Sequence, residues 1–206
     1  MNAIKTVFFD YDGVMTFEKT GTQSICSYIS KNYNIDKNIF ENEYRKYNSD
    51  LSNGKTTHEK IWNKLCLNLK ENIPITILYD SFVNTPIDME MYKLVKNIKD
   101  NNIKTGLITD NKTDRIKAIA EKYKLDTIFD VITISAEIGS GKENKEIFIN
   151  ALADFNCRPD ECIFIDNQED NLTIPKNMGM YTLFFDDEKR DMNKLKMELK
   201  KYGIII

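Results

Sequence analysis

The stretch Ile4-Lys5-Thr6-Val7-Phe8-Phe9-Asp10-Tyr11-Asp12-Gly13-Val14-Met15-Thr16 decides how the chain is read. An apolar run from Val7 to Phe9 delivers two carboxylates, Asp10 and Asp12, where a strand should end, and Gly13 lets the backbone turn. Residues two apart on a strand share a face, so both carboxylates look into one site if the extended geometry persists through Asp12. Like charges that close repel, which raises one pKa unless a cation or hydrogen-bond donors lie between them. The pair therefore points to a bound metal, or to one acid and one base. Asp-Tyr-Asp-Gly is equally an ordinary polar turn after a buried strand, and on this stretch alone the two readings stand level.

Beyond Thr16 the pattern is helical for about seventy residues. Ile25, Tyr28 and Ile29, then Ile39, Phe40, Tyr44 and Tyr47, then Ile61, Trp62, Leu65 and Leu69 recur at helix-face spacings, as packing stripes do. Asp36 is placed to cap the second helix, Thr56 with Glu59 matches a capping box for the third, and Asn53-Gly54 marks the turn between them. Pro74 suits the start of a shorter fourth helix over Ile75 to Phe82. After Thr85-Pro86 strands and helices alternate. Strands are expected at Ile103–Thr109, Val131–Ile134, Cys162–Ile165 and Tyr181–Phe185, with a short helix around Leu172–Met178 and a terminal helix from about Asp187 to Tyr202. This order predicts an α/β fold, a doubly wound, Rossmann-like parallel sheet of about five strands with right-handed crossovers. Residues 1–15 and 86–206 form the sheet domain, and residues 16–85 form an α-helical domain inserted into it.

Composition narrows the function. The 206 residues are 41% hydrophobic and 30% charged, which fits a folded globular protein. Net charge is −3 with acids and bases interspersed, so the chain lacks the basic stripe that nucleic-acid phosphates demand. The first ten residues lack a secretory signal pattern and no stretch is long enough to span a bilayer, which reads as a cytoplasmic protein without a membrane partner. The four cysteines, Cys26, Cys66, Cys157 and Cys162, contain no Cys-x-x-Cys pair and read as reduced, structural thiols. The single histidine, His58, argues against a Ser-His-Asp triad or a multi-histidine zinc site and reads as a helix-surface residue. Acid–base work falls to carboxylates.

In doubly wound sheets, ligands bind beyond the carboxyl ends of the strands. The first strand ends at Asp10, the second at Thr109 with Asp110 and Asn111, the third leads through Ser135 to Lys142, and the fourth ends at Asp166 and Asn167. Singly, Thr109 is a plain strand-end threonine, Lys142 a solvated loop lysine and Asp166 a cap for the next helix. Polar groups at four strand ends in register argue for a site.

In this order the residues resemble the haloacid dehalogenase superfamily, in its magnesium-dependent phosphatase branch. Asp10-Tyr11-Asp12-Gly13-Val14 resembles the first motif, Leu107-Ile108-Thr109 the second, Lys142 the third and Ile163-Phe164-Ile165-Asp166 the fourth. The helical insertion resembles that family's cap. The resemblance implies that Asp10 attacks a phosphomonoester to form an aspartyl-phosphate, that Asp12 serves as general acid and base, and that Thr109 and Lys142 hold the transferring phosphoryl group. It implies Mg²⁺ held by Asp10, the carbonyl of Asp12, and Asp166. Thr16 and the amides after Asp10 join the phosphate contacts in this reading, and Glu18, Lys19, Thr20, Thr22 and Gln23 lie near the cap entrance by sequence. Two positions depart from the pattern. Asn167 stands where a second acid is common, which weakens the metal site unless Asp170 compensates, and Glu143 stands where proline often follows the lysine. A small phosphorylated metabolite, a sugar phosphate above others, is the implied substrate. The alternatives are a phosphoglucomutase-like phosphotransferase and a phosphoacceptor signalling module; dehalogenation is disfavoured because dehalogenases lack the acid that Asp12 supplies.

Overall fold

The computed structural model describes residues 3–206. Its five strands are β1 (Thr6–Phe9), β2 (Lys104–Thr109), β3 (Val131–Ile134), β4 (Cys162–Asp166) and β5 (Tyr181–Phe184). All pair in parallel in the order β3-β2-β1-β4-β5. Ten helices accompany them in chain order among the described residues: α1 (Gly21–Tyr33), α2 (Lys37–Ser52), α3 (His58–Leu69), α4 (Ile75–Val83), α5 (Met89–Asp100), α6 (Thr113–Tyr123), α7 (Ser135–Ile138), α8 (Glu146–Phe155), α9 (Glu169–Asn177) and α10 (Met192–Lys201). The winding reverses at β1, with β2 and β3 on one side and β4 and β5 on the other, so the crevice that such sheets offer to ligands lies at the carboxyl ends of β1 and β4.

Strand residues alternate between two apolar layers, as a period of two requires. Val7, Phe9, Leu107, Ile163 and Ile165 face α5, α6 and α10, through Met91, Val95, Ile98, Ile119 and Leu199. Phe8, Ile108 and Phe164 face the other way, onto Ile147, Phe148 and Ala151 of α8 and Leu172 of α9. With both faces covered, the strands read as nearly unbroken apolar runs. In the inserted segment α1 packs on α2 and α4, α2 on α3, and α4 reaches across to α6. Ile25, Tyr44, Trp62 and Leu78 of these helices belong to the same apolar cluster as Phe9.

Several expectations are corrected. The third helix is capped by Thr57, whose hydroxyl accepts from the Lys60 N–H at 3.4 Å, so no Thr56–Glu59 capping box forms. His58 is fully buried rather than on a helix surface: Nδ1 lies 2.6 Å from Asp114 Oδ2 and Nε2 2.8 Å from the Tyr44 hydroxyl, tying α3 to α6. The terminal helix starts at Met192, not Asp187, because Arg190 adopts a left-handed backbone (φ 46°) and Asp191 then caps the helix by accepting from the Lys194 N–H. Asp36 caps α2 as read from the sequence. No helix among the described residues is long and apolar enough to cross a membrane.

The residue that delays α10 fastens the site. Arg190 Nη1 donates to the carbonyls of Gly13 (2.8 Å) and Thr16 (3.0 Å), Nη2 to the Val14 carbonyl (2.9 Å), and Nη2 and Nε to Asp88 Oδ2 (2.7 and 3.1 Å). All five N–H groups of the guanidinium fork are thereby used. The two strands of chain that enter and leave the inserted helices, also joined by the Thr16–Ile87 bridge, are held by one side chain. Replacing it takes this donor from Asp88 Oδ2 and from the carbonyls of Gly13, Val14 and Thr16, while Asp88 Oδ1 keeps the Glu90 and Met91 N–H groups. Arg190→Ala is expected to cost about 3–5 kcal/mol, measured by urea unfolding, with Arg190→Lys recovering only part because it lacks the fork.

Candidate active site

The strand β1 stops at Phe9, and the turn over residues 11–15 begins before Asp12. Extended geometry therefore does not persist between the two acids, and each finds its own cation. Gly13 sits in this turn at φ 83°, and a Cβ there would lie 2.2 Å from Asn167 Nδ2, so only glycine fits.

Asp10 follows β1 and Asp166 closes β4, on neighbouring strands. Lys142 Nζ lies between them, 2.8 Å from Asp10 Oδ1 and 2.7 Å from Asp166 Oδ2, with only 2% of its own side chain exposed. Burial opposes the lysine's charge, but the carboxylates of Asp10, Asp166 and Asp110 outweigh it and push the ammonium pKa up. Burial pushes the Asp10 carboxyl well above the usual range, opposed chiefly by Lys142. The lysine's loop is pinned by its main-chain N–H, which donates to Asp110 Oδ1 at 2.9 Å. Asp166 Oδ1 accepts from the Gln168 N–H (2.8 Å) and from Asn171 Nδ2 (3.1 Å). Asp166 thus supports the start of α9 while it pairs with Lys142 beneath the cleft.

Asp12 turns instead to Arg115 of α6, a fully buried arginine. Nη2 donates to Oδ1 at 2.8 Å and Nη1 to Oδ2 at 2.9 Å, a two-pronged pair, while Asn111 Nδ2 donates to Oδ2 at 2.7 Å. Gly21, the first residue of α1, closes over this pair: a Cβ there would fall 2.6 Å from Arg115 Nη1 and 3.0 Å from Asp12 Oδ2. Thr109 Oγ1 accepts from the same Asn111 amide at 3.2 Å, which ties the end of β2 to the Asp12 cluster.

A cleft of about 360 Å³ opens above these groups. Asp10, Asp12, Thr109 and Lys142 line it from the sheet side, and Lys19, Thr20 and Thr22 with Asn48, Ser49, Ser52 and Asn53 line it from the inserted helices. Lys112 joins the two sides: its Nζ donates to Asn48 Oδ1 at 2.6 Å, and the Thr22 hydroxyl donates to the same oxygen at 3.1 Å. Although only 5% exposed, Lys112 has no carboxylate at ion-pair distance among the described residues, and burial lowers its pKa to about 8, with Arg115 adding to the shift.

The structure gathers some of the sequence-predicted site residues and not others. Asp10, Lys142 and Asp166 converge, and Thr109 lines the same cleft. Thr16 does not: its hydroxyl accepts from the Gly13 N–H and donates to the Glu18 carbonyl, fully buried inside the turn. Asp170 is exposed, and it is Asn171 that reaches Asp166. Glu18 and Gln23 lie outside the cleft lining, unlike Lys19, Thr20 and Thr22. Arg115, Asn111, Lys112 and Asn48 escaped the sequence reading, because a cation on a helix face carries no signal until its partner about 100 residues away in Asp12 is known.

A divalent cation suits what remains. Two carboxylates face one ammonium around Lys142, which leaves a formal negative charge, and both amide atoms of buried Asn167 lack a partner. Among the described residues no three His, Cys, Asp or Glu side chains form a metal-binding group. Arg115 occupies the Asp12 carboxylate, so Asp12 can offer a cation only its main-chain carbonyl.

Residues 4–179 match the haloacid dehalogenase-like hydrolase family. The chain belongs to the haloacid dehalogenase-like hydrolases. It is similar to glyceraldehyde 3-phosphate phosphatase of Pyrococcus furiosus, 32% identical over 112 residues that make up 54% of this chain and 46% of that protein. The chain thus spans about half the length of that relative. It is also similar to pyrophosphatase PpaX of Bacillus cereus, 23% identical over 87% of this chain and 82% of that one. Among solved structures, a haloacid dehalogenase-family enzyme of Bacteroides thetaiotaomicron superposes with a TM-score of 0.77 at 16% identity, covering 95% of this chain and 99% of that one. A complex of that enzyme with magnesium and inorganic phosphate superposes at 0.73 and 17% identity, covering 94% and 99%.

Removing the arginine from the Arg115–Asp12 pair leaves a buried carboxylate with one donor. Arg115→Met is expected to lose about 3–5 kcal/mol of stability, read from denaturant midpoints, and the double variant with Asp12→Asn should recover part of that loss.

Proposed function

We propose that this protein is a magnesium-dependent phosphomonoesterase acting on a small phosphorylated metabolite of the sugar-phosphate kind, through an aspartyl-phosphate on Asp10. The observation that carries the reading is Lys142 set between Asp10 and Asp166 at the floor of the cleft. Family membership and the phosphatase and pyrophosphatase names of the relatives support it. So does the magnesium and phosphate bound by the Bacteroides enzyme of like fold.

Asp10 attacks phosphorus in line with the ester oxygen, the P–O bond to the alcohol breaks, and the phosphoryl group rests on the Asp10 carboxylate. Lys142 and the Thr109 hydroxyl balance and orient the phosphoryl oxygens, whose charge is spread in the transition state. Asp10, Asp166 and the Asp12 carbonyl would hold Mg²⁺, which when bound would supply positive charge against the phosphoryl group and the crowded acids. Asp12, once turned from the Arg115 fork into the cleft and protonated from solvent, gives that proton to the departing alcohol, and then takes one from the water that splits the aspartyl-phosphate. The residues 16–85 act as the cap that shields this chemistry from water. Thr22, Asn48 and Lys112 form the wall facing the leaving group, a polar surface suited to hydroxyl groups or a second negative charge on the substrate.

Purified protein with Mg²⁺ should release phosphate from an aryl phosphate and from members of a phosphomonoester panel, and chelation should abolish this until Mg²⁺ is restored. Asp10→Asn is expected to lower turnover by roughly 10⁴-fold or more, the scale of losing a nucleophile. No turnover across the panel, with a long-lived phosphoprotein accumulating instead, would replace this reading with that of a phosphoacceptor module; an isomerised sugar phosphate without free phosphate would replace it with a phosphotransferase. Lys112→Met should raise KM by about tenfold with kcat near wild type, the loss of one charge-assisted hydrogen bond to substrate.

A further inference from the structure

At the end of the sheet away from the cleft, two thiols meet. Cys157 follows α8, whose last turn is closed by Asn156 in the left-handed region (φ 48°), and Cys162 opens β4. Between them a single tight turn folds back on itself: the Glu161 N–H donates to the Arg158 carbonyl at 3.0 Å, and the Arg158 N–H to Glu161 Oε2 at 3.1 Å. The turn brings the two sulfurs to 3.0 Å. Cys162 is fully buried and Cys157 half-buried, so a small reagent meets Cys157 first. Cys26 and Cys66 are buried, and neither has a thiol partner among the described residues.

We propose that Cys157 and Cys162 form a reversible redox pair, with Cys157 the thiol that reacts with hydroperoxides and Cys162 the one that resolves the product as an intramolecular disulfide. In the first step the Cys157 thiolate attacks one peroxide oxygen. The S–O bond forms, the O–O bond breaks, and the departing hydroxide takes up a proton as water. In the second step Cys162 gives up its proton and attacks the sulfenic sulfur. The S–S bond forms, the S–O bond breaks, and a second water leaves. Two thiols are oxidised by two electrons, and one hydroperoxide is reduced. The contact between the two sulfurs supports this order of events, because it holds the Cys157 thiol down at about 7 while Cys162 is pushed up by Cys157 and by burial. By contrast burial pushes Cys26 up to about 12, where little thiolate exists to react. Asp166 lies four positions along β4 from Cys162, about 13 Å of strand, so the pair stands apart from the phosphate-binding end.

The test treats the reduced full chain with a small excess of hydrogen peroxide, followed by alkylation under denaturing conditions and mass spectrometry. The expected product is 2 Da lighter than the reduced protein, takes two alkyl groups instead of four, yields a linked Cys157–Cys162 peptide, and reverts with dithiothreitol. Cys162→Ser under the same treatment should carry a sulfenic acid on Cys157 that a dimedone probe captures. Four alkylated cysteines after treatment, a disulfide to Cys26, to Cys66 or between chains, or stable sulfinic acid on Cys157 of the wild type would each overturn the proposal. Aryl phosphatase turnover of the oxidised wild type should stay within twofold of the reduced form, and a larger loss would refute its separation from the cleft.

Discussion

Three side chains buried at the carboxyl edge of the sheet, Asp10, Lys142 and Asp166, set the terms for everything around them. Placing two carboxylates and an ammonium out of water costs several kcal/mol per ion unless each is paired and hydrogen-bonded. The pairing is possible only because β1 and β4 are neighbours in register, Phe9 beside Ile165, which puts both acids one step past that matched pair. Lys142 reaches them from a loop after α7 that Asp110 pins. Asp166 in turn holds the first turn of α9 through Gln168 and Asn171. The sheet, two loops and a helix start thus share one electrostatic solution.

A second solution lies two residues along the chain. Asp12 is closed off by Arg115 and Asn111, whose amide also reaches Thr109. Separate cations give two adjacent acids different surroundings, which is how neighbouring carboxylates come to hold different roles. Gly21 seals the Arg115 pair from the helical side, so the first turn of α1 lies directly against Asp12 and its arginine. The inserted helices share the main apolar cluster with β1, and the His58–Asp114 contact joins them to α6. Their seat on the sheet domain is consequently both apolar and polar.

Legibility in the sequence follows from what kind of contact each residue makes. The sheet is readable because strands covered on both faces must be continuous apolar runs, and Val7–Phe9, Leu107–Ile108 and Ile163–Ile165 are just that. Asp10, Thr109 and Asp166 are readable because they fall at strand ends, where such folds place ligands. Arg115, Lys112 and Asn48 are not, since their meaning lies in partners on other elements. His58 was misread for the same reason: beside a lysine-rich helix start it looks solvated, and only Tyr44 and Asp114 explain its burial. Cys157 and Cys162 carry no Cys-x-x-Cys spacing, and it is the tight turn between them that makes neighbours of residues five apart. The apparent helix from Asp187 fails because charged residues with good helix propensity were outweighed by the left-handed backbone at Arg190.

The reach of Arg190 has a bearing on how the molecule comes into being. It contacts Gly13 across 177 positions of sequence, and its fork closes on the carbonyls of Gly13, Val14 and Thr16. Native contacts so distant along the chain carry a large loop-closure cost and slow the search for the folded state. A nascent chain can form α1 to α4 and lay down β1, β2 and β3 long before residue 190 exists, yet the turn bearing Asp10 and Asp12 would still lack its fastening. The turn bearing Asp10 and Asp12 is therefore made well before the side chain that fastens it, and its full set of contacts waits on residue 190.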